Sequence, residues 1–195
     1  MSLTYLYNKL EKMDTREQYA YIQNVLLQFQ IKPKLDLVSI FNDIPGKESC
    51  GKNPLGYLVM HLSLDQLEQL IPTYFKDLIG QSTFNSTDIE LMNTIDKVVQ
   101  YIEGDELFFK FEHPDLMLQV YEFGVAKYKP WSFLELNPYS LVLALFRHLY
   151  KHFYISKTDE ESGLPHSIHA DCNLRMIELI RNKTDMKGIN DGTQT

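Results

Sequence analysis

The stretch Asn137–Phe153, NPYSLVLALFRHLYKHF, indicates the fold class, because a helix start is followed by a long apolar run. Asparagine caps helices well and proline fits their first turn, so Asn137 and Pro138 predict an N-terminus. The first half of the stretch is apolar on nearly every face, and we expect this helix to lie buried at the centre of the core. Its longest apolar run, 140–146, is far shorter than the ~18 residues that cross a bilayer.

Helical signals recur along the rest of the chain. Asp14 and Glu17 have the spacing of a capping box, and the apolar positions after them repeat with a helical period. Thr87 and Glu90 form a second such pair, opening a helix that we expect to end at Gly104. Further helices are predicted over 34–42, from Ser63 with a break at Pro72, over 114–128 and over 165–181. The sequence thus predicts an all-α protein, a compact multi-helix domain of about seven to eight helices.

Three segments lack a helical pattern. Residues 43–56 are rich in glycine, proline, lysine and asparagine and predict a loop. Residues 106–113, ELFFKFEH, fit either a connector or a short strand, which would leave room for one short hairpin. The polar, glycine-containing end of the chain predicts a flexible tail. We therefore divide the chain into an N-terminal helical region (1–112), a C-terminal helical region (113–182) and a tail (183–195).

Composition suggests neither duplex nucleic acid nor a membrane as a partner. The chain has 195 residues and a formal net charge of −7, which DNA and anionic lipids would repel. The N-terminus lacks the basic and apolar parts of a secretory signal, and two cysteines make no disulfide framework. We therefore expect a cytoplasmic protein, and a homo-oligomer is compatible with the sequence.

The segment ESGLPHSIHADCN, residues 161–173, presents polar side chains on one face of a predicted helix. On a helix that starts near Pro165, His166 and Asn173 share nearly the same angular position, and His169 lies one turn along. Asp171 points roughly 140° away from His166, which separates it from the histidines. Because this face lies at a helix N-terminus, its backbone donors favour an anion.

The preceding helix and loop supply further polar residues. Arg147 and His148 lie late in the apolar helix and would face the same place if the two helices pack antiparallel. Asp159 lies on the short connection between the helices and would be close by chain geometry. These residues predict one polar site where the last two helices meet.

The C-terminal third resembles a phage and prophage family of dATP/dGTP diphosphohydrolase-like proteins. The shared pattern consists of a Gly-x-x-Lys-Tyr segment, a nearby Trp, Arg-His-Leu, and an Asp-x-x-Ser-Gly loop leading to His-x-x-His-Ala and Asn. Here these residues are Gly124, Lys127, Tyr128, Trp131, Arg147, His148, Leu149, Asp159, Ser162, Gly163, His166, His169, Ala170 and Asn173. The resemblance implies a (deoxy)nucleoside triphosphate as substrate and, for a phage-encoded protein, the cytoplasm of the host cell.

Two chemistries fit these residues, and the sequence leaves both open. In the first, three histidines and an aspartate hold a divalent transition metal such as Mn²⁺ or Zn²⁺, which activates water and polarises a phosphate. In the second, Arg147, Lys127 and the histidines bind the phosphates directly, and carboxylates such as those of Glu122 and Asp159 recruit Mg²⁺. The candidates for catalysis and metal binding are His148, Asp159, His166 and His169, with Glu122 as a further metal ligand. The candidates for substrate binding are Lys127, Trp131, Arg147 and Asn173.

Several known hydrolase patterns are absent from the sequence. Ala170 separates His169 from Asp171, so the adjacent His-Asp pair of HD-type phosphohydrolases is missing. The Glu-Glu-x-x-Glu motif of all-α nucleotide pyrophosphatases and the P-loop are also missing. The alternative interpretation is a non-catalytic helical protein that binds a host or phage protein, in which the same polar residues form a structural network around Gly163.

Overall fold

In the computed structural model of the protein, all regular secondary structure of the described residues is helical. The structure describes residues 2–35, 54–70 and 84–191, the last seven of these by their backbone alone. Within these ranges it contains eight α-helices, one 3₁₀ helix and no β-strand, which confirms the all-α prediction and the helix number. The α-helices are α1 (Leu3–Glu11), α2 (Thr15–Gln28), α3 (Pro54–His61), α4 (Leu64–Gln69), α5 (Ser86–Glu103), α6 (Pro114–Lys127), α7 (Pro138–Tyr154) and α8 (His166–Asp191). The 3₁₀ helix is Ser132–Glu135.

The chain forms two compact units, Met1–Lys97 and Val98–Thr195, which divide within α5. In the first unit, α3 contacts both α1 and α2. The buried side chains of this unit are mainly aliphatic, with Leu3, Leu6 and Leu10 on one face of α1. This spacing of three and four residues is that of an amphipathic helix, so burial of its apolar face stabilises α1.

Helix starts follow the capping rules, with one shift in position. The predicted Asp14–Glu17 capping box is present, with reciprocal bonds of 2.9 and 2.8 Å. The predicted Thr87–Glu90 box is wrong, since Asn85 and Asp88 form the box of α5 instead, with bonds of 3.1 and 2.8 Å. The Asp88 side chain is fully buried, and a buried carboxylate needs the donor that the Asn85 backbone provides.

Two helices were not predicted from the sequence. One is α1, which is capped by Ser2, whose side chain accepts a hydrogen bond from the Tyr5 backbone N–H. α3 begins at Pro54, inside the predicted loop 43–56, and is buried at nearly every position, so it shows no amphipathic period. The predicted helix over 34–42 and the break at Pro72 lie wholly or largely outside the described residues.

The segment before α6 is a connector, and its short-strand alternative was wrong. Residues 105–113 contain no strand or helix. Phe109 packs edge-to-face on Tyr101, with ring centroids 5.2 Å apart. Phe111 packs against a small apolar cluster that includes Met117 and Ile168. Aromatic side chains therefore anchor this connector without strand pairing.

The second unit is built around α7 and α8. All residues from 140 to 146 are buried, which confirms the prediction of a central helix from the apolar run. α8 packs along α7 and also contacts α6 and the 3₁₀ helix. α8 continues to Asp191, so the predicted helix end at Arg181 was wrong. In the described parts of the chain no helix is long and apolar enough to cross a membrane.

Arg181 joins α8 to the C-terminal end of α5. Its guanidinium donates to the carbonyls of Tyr101 and Asp105, each at 2.6 Å, and to that of Gly104 at 3.1 Å. It also lies 4.2 Å from the centre of the Tyr101 ring. Gly104 has a φ of +127°, as expected of the glycine predicted to end this helix. Carbonyls at a helix C-terminus attract a cation, so Arg181 fixes α8 against α5.

We expect Arg181→Met to lower the free energy of unfolding by about 1–3 kcal/mol, because three carbonyls lose a charged donor. The matched control is Arg175→Met, also on α8. Arg175 pairs only across one helical turn with Glu178, at 2.7 Å on the surface, so its loss should cost about 0.2–0.5 kcal/mol. Chemical denaturation measures both. An equal loss of unfolding free energy in the two variants would contradict the role of Arg181 in fixing α8 against α5.

Candidate active site

The loop between α7 and α8 is a tight turn that places polar side chains beside the start of α8. Thr158 and Pro165 form an isolated antiparallel bridge. Inside it, the Asp159 N–H donates to the Leu164 carbonyl at 2.9 Å, and the Gly163 N–H donates to the Asp159 carbonyl at 2.9 Å. Gly163 has a φ of +72°, a conformation that glycine adopts without steric cost. This turn therefore brings Asp159 back towards α8.

The Asp159 carboxylate organises the interior of this loop. Its Oδ1 accepts hydrogen bonds from the backbone N–H groups of Glu161 at 3.2 Å and Ser162 at 3.0 Å. It also contacts the Ser162 hydroxyl at 3.1 Å. Partial burial raises the pKa of Asp159, but the hydrogen bonds from Ser162, together with neighbouring His169 and His148, outweigh it, and the pKa lies below its usual value. Asp159 is therefore ionised at neutral pH.

Three histidines meet beside Asp159. Nδ1 of His148 lies 3.0 Å from Nδ1 of His166. The rings of His148 and His169 are stacked, with centroids 4.5 Å apart and planes 9° from parallel. Asp159 Oδ2 is 3.8 Å from His166 Nδ1, and Asp159 Oδ1 is 4.0 Å from His169 Nε2. The structure thus brings together four of the residues singled out in the sequence.

These histidines are buried and neutral. His148, His166 and His169 expose only 7%, 1% and 7% of their surface. Burial, with neighbouring Arg147 and the other histidines, lowers the pKa of His148 to about 2. Burial also lowers the pKa of His166 and of His169, although the Asp159 charge opposes the shift. All three rings therefore keep a lone pair at neutral pH, as metal ligation requires.

His148, Asp159 and His166 meet the geometric requirement for a metal site. Each offers one ligand atom, and these atoms all lie within 4.8 Å of one another. Two imidazole nitrogens and one carboxylate are a donor set that suits divalent transition metals. The residues present therefore fit such an ion. His169 and the exposed Glu122 lie outside this three-residue group.

Arg147 brings a positive charge to the edge of the cluster. Its guanidinium lies 3.5 Å from Nε2 of His148, a long contact in which the imidazole nitrogen accepts, since arginine only donates. Burial lowers the pKa of Arg147, while Asp159, Tyr128 and Glu161 raise it. Arginine remains charged in proteins, so the site combines neutral imidazoles and one carboxylate with a fixed cation.

Two other predicted substrate-binding residues, Asn173 and Lys127, have partners within the protein. Asn173 is buried, and its amide donates to the His169 carbonyl at 2.8 Å, one turn back on α8. Lys127 ends α6, pairs with Glu161 of the loop, and lies 4.2 Å from the centre of the Phe123 ring. Lys127 therefore ties α6 to the α7–α8 loop.

Trp131 is presented to solvent by an unusual backbone conformation. It has a φ of +61° and exposes 60% of its surface. Its backbone N–H donates to the Tyr121 hydroxyl at 3.3 Å, and its indole ring packs at a tilt against the rings of Tyr121 and Phe133. A non-glycine residue in this conformation costs free energy and persists only where the surrounding structure fixes it. Such residues are found often at functional sites.

Two contacts of the site were missed in the sequence. Ser162, named there only as part of the Asp-x-x-Ser-Gly pattern, lies with its Oγ 2.7 Å from His169 Nε2. Glu161 pairs with Lys127, so this lysine already has an anionic partner. The Asp-x-x-Ser spacing could have indicated that the Ser162 side chain bonds back to Asp159, and so lies near the histidines beside that carboxylate. No local signal indicates the second, since 34 residues separate its partners.

We expect the free energy of unfolding of the metal-free protein to fall as the pH drops from 7 to 5. The pKa of His148 is lowered, so below about pH 6.5 the unfolded chain binds a proton there that the folded chain does not. The contribution of neutral His148 to the free energy of unfolding is therefore complete above pH 6.5, and it falls by about 1.4 kcal/mol per pH unit below that pH. His148→Asn should reduce the pH slope, measured by denaturant titration, by about one proton. An unchanged slope would contradict the neutral state of His148.

Comparison with known proteins supports the resemblance seen in the sequence. No curated protein and no solved structure matches the chain. Residues 113–189 match a family model described as dATP/dGTP diphosphohydrolase, N-terminal. This segment contains α6, α7, the loop and the histidine cluster. The C-terminal part of the chain is therefore similar to the N-terminal domain of dATP/dGTP diphosphohydrolases, as its motifs predicted.

Proposed function

We propose that the protein is a metal-dependent phosphohydrolase of (deoxy)nucleoside triphosphates, with dATP and dGTP as the first substrates to test. The observation that carries this proposal is the group of two neutral histidines, His148 and His166, and the Asp159 carboxylate, which lies within the matched segment. The family description supplies the substrate class. From the resemblance alone, we further propose a phage-encoded protein that acts in the host cytoplasm.

The side chains around the cluster suit a polyphosphate. Arg147 holds a charge that arginine does not lose, and a guanidinium binds phosphate oxygens through paired donors. His166 is the first residue of α8, so the positive end of this helix dipole lies on the same side, while the backbone N–H groups of His166 and His169 already donate to the carbonyls of Lys157 and Pro165. A divalent ion held by His148, Asp159 and His166 would supply Lewis-acid polarisation of a phosphate.

Lys127 and Asn173 take secondary roles in this proposal. Lys127 is held by Glu161, so it reaches a phosphate only by exchanging that partner. Asn173 is bonded to the His169 backbone and holds the first turns of α8 rather than the substrate. The direct contacts with the phosphates therefore come from Arg147 and the histidine cluster.

We expect purified protein to release phosphate or pyrophosphate from dATP or dGTP in the presence of Mn²⁺, Zn²⁺ or Mg²⁺. His166→Asn should lower metal affinity by more than the about 10- to 100-fold that loss of an outer-shell partner costs. The control is His113→Asn, an exposed histidine that precedes α6. Calorimetric titration of the metal and a nucleotide panel followed by chromatography provide the two measurements.

A different outcome would favour a second function. The near-complete burial of the three histidines also suits a structural network in a protein that binds another protein. If wild-type protein binds none of the metals and leaves every nucleotide intact, the hydrolase proposal fails. In that case the network around Gly163 has a structural role, as in the non-catalytic alternative.

We also propose that Trp131 stacks on the nucleobase, since aromatic faces bind bases of any sequence. Trp131 is the single tryptophan of the chain, so its fluorescence should change when dATP or dGTP is added. Trp131→Ala should weaken nucleotide binding by about 1–3 kcal/mol, and Trp131→Phe by less. Phe108→Ala removes an aromatic side chain that is 99% exposed and serves as the control. Equal affinities for wild type and Trp131→Ala would refute the stacking role.

A further inference from the structure

The hydroxyl of Ser162 lies at the meeting point of three polar groups. Its Oγ is 2.7 Å from Nε2 of His169 and 3.1 Å from Oδ1 of Asp159. The backbone N–H of Leu164 donates to the same Oγ at 3.2 Å. A hydroxyl has one proton and two lone pairs, so these three contacts use its full capacity. The direction of each hydrogen bond can therefore be deduced.

The proton of the hydroxyl belongs on the Asp159 side. Leu164 N–H occupies one lone pair of Oγ. Oδ1 of Asp159 already accepts from two backbone N–H groups and is therefore an acceptor, so the Ser162 hydroxyl at 3.1 Å must supply the proton between the two oxygens. Ser162 therefore donates to Asp159, and its second lone pair faces His169.

The remaining contact fixes the tautomer of His169. At 2.7 Å from an oxygen lone pair, Nε2 must carry the proton and donate to Ser162. A neutral imidazole carries one proton, so Nδ1 of His169 is then the unprotonated nitrogen. Stacking against His148, with the planes 9° apart, holds the ring in this orientation. His169 Nε2 consequently has no lone pair for a metal.

We propose that Ser162 is a positioning residue that holds His169 in the Nε2–H tautomer and so keeps His169 Nε2 out of the metal-ligand set. This assigns different tasks to histidines that look equivalent in the sequence. His148 and His166 ligate with Asp159, while His169 bridges the loop to the ring stack. The reference to a metal rests on the proposed function, but the tautomer itself does not.

The test is the tautomer of His169, measured by ¹⁵N NMR of the imidazole nitrogens in metal-free, nucleotide-free protein at pH 7.5. Single His→Gln variants assign the signals of the six histidines. In wild-type protein, His169 should show the Nε2–H tautomer alone. Ser162→Ala should shift His169 towards a mixture of tautomers, because the acceptor is lost. Ser162→Thr retains the hydroxyl and should restore the wild-type pattern.

The outcomes separate this inference from the proposed function. An Nδ1–H tautomer in wild-type protein would overturn the inference even if dATP is hydrolysed, and so would an unchanged pattern in Ser162→Ala. The Nε2–H tautomer, lost in Ser162→Ala and retained in Ser162→Thr, would support it even if no nucleotide is cleaved. If Ser162→Ala fails to fold by circular dichroism, the wild-type tautomer alone decides.

Discussion

The arrangement of the site depends on one carboxylate. Asp159 turns the α7–α8 loop inward because its Oδ1 accepts two backbone N–H groups and the Ser162 hydroxyl. These bonds keep Asp159 ionised, and its charge in turn opposes the pKa lowering of His166 and His169. Without this carboxylate, the N–H groups of Glu161 and Ser162 would lose the acceptor that shapes the turn. Loop conformation and site electrostatics therefore have a common origin.

Burial gives the cluster its chemical character. In water a histidine is partly protonated near neutral pH, and three adjacent imidazolium ions would repel one another. Enclosure by α7 and α8 lowers the pKa of all three, so they approach as neutral rings, with Nδ1 atoms of His148 and His166 only 3.0 Å apart. One of these two atoms carries a proton and donates it to the other, a contact that two imidazolium ions could not make.

The sequence predicted the parts of this protein that follow from local pattern. The apolar run of α7 indicated a central helix, and the three-residue spacing of His166 and His169 placed them on neighbouring positions of α8. α3 was missed because a helix buried on all sides has no amphipathic period. The Asn85–Asp88 capping box was missed because Thr87 and Glu90 have the same spacing. The structure forms the box at Asn85 and Asp88, where the Asp88 side chain is buried. The Lys127–Glu161 pair depends on tertiary packing, which single-sequence patterns do not contain.

The position of the site in the chain also bears on how it forms. Only 26 positions separate Arg147 from Asn173, and every side chain of the cluster lies between them. Closing a segment of this length costs little chain entropy, since each doubling of loop length adds only about 0.6 kcal/mol. Contacts that are local in sequence also form rapidly during folding. The α7–α8 hairpin can therefore assemble its polar cluster early, as one cooperative unit with its own helices.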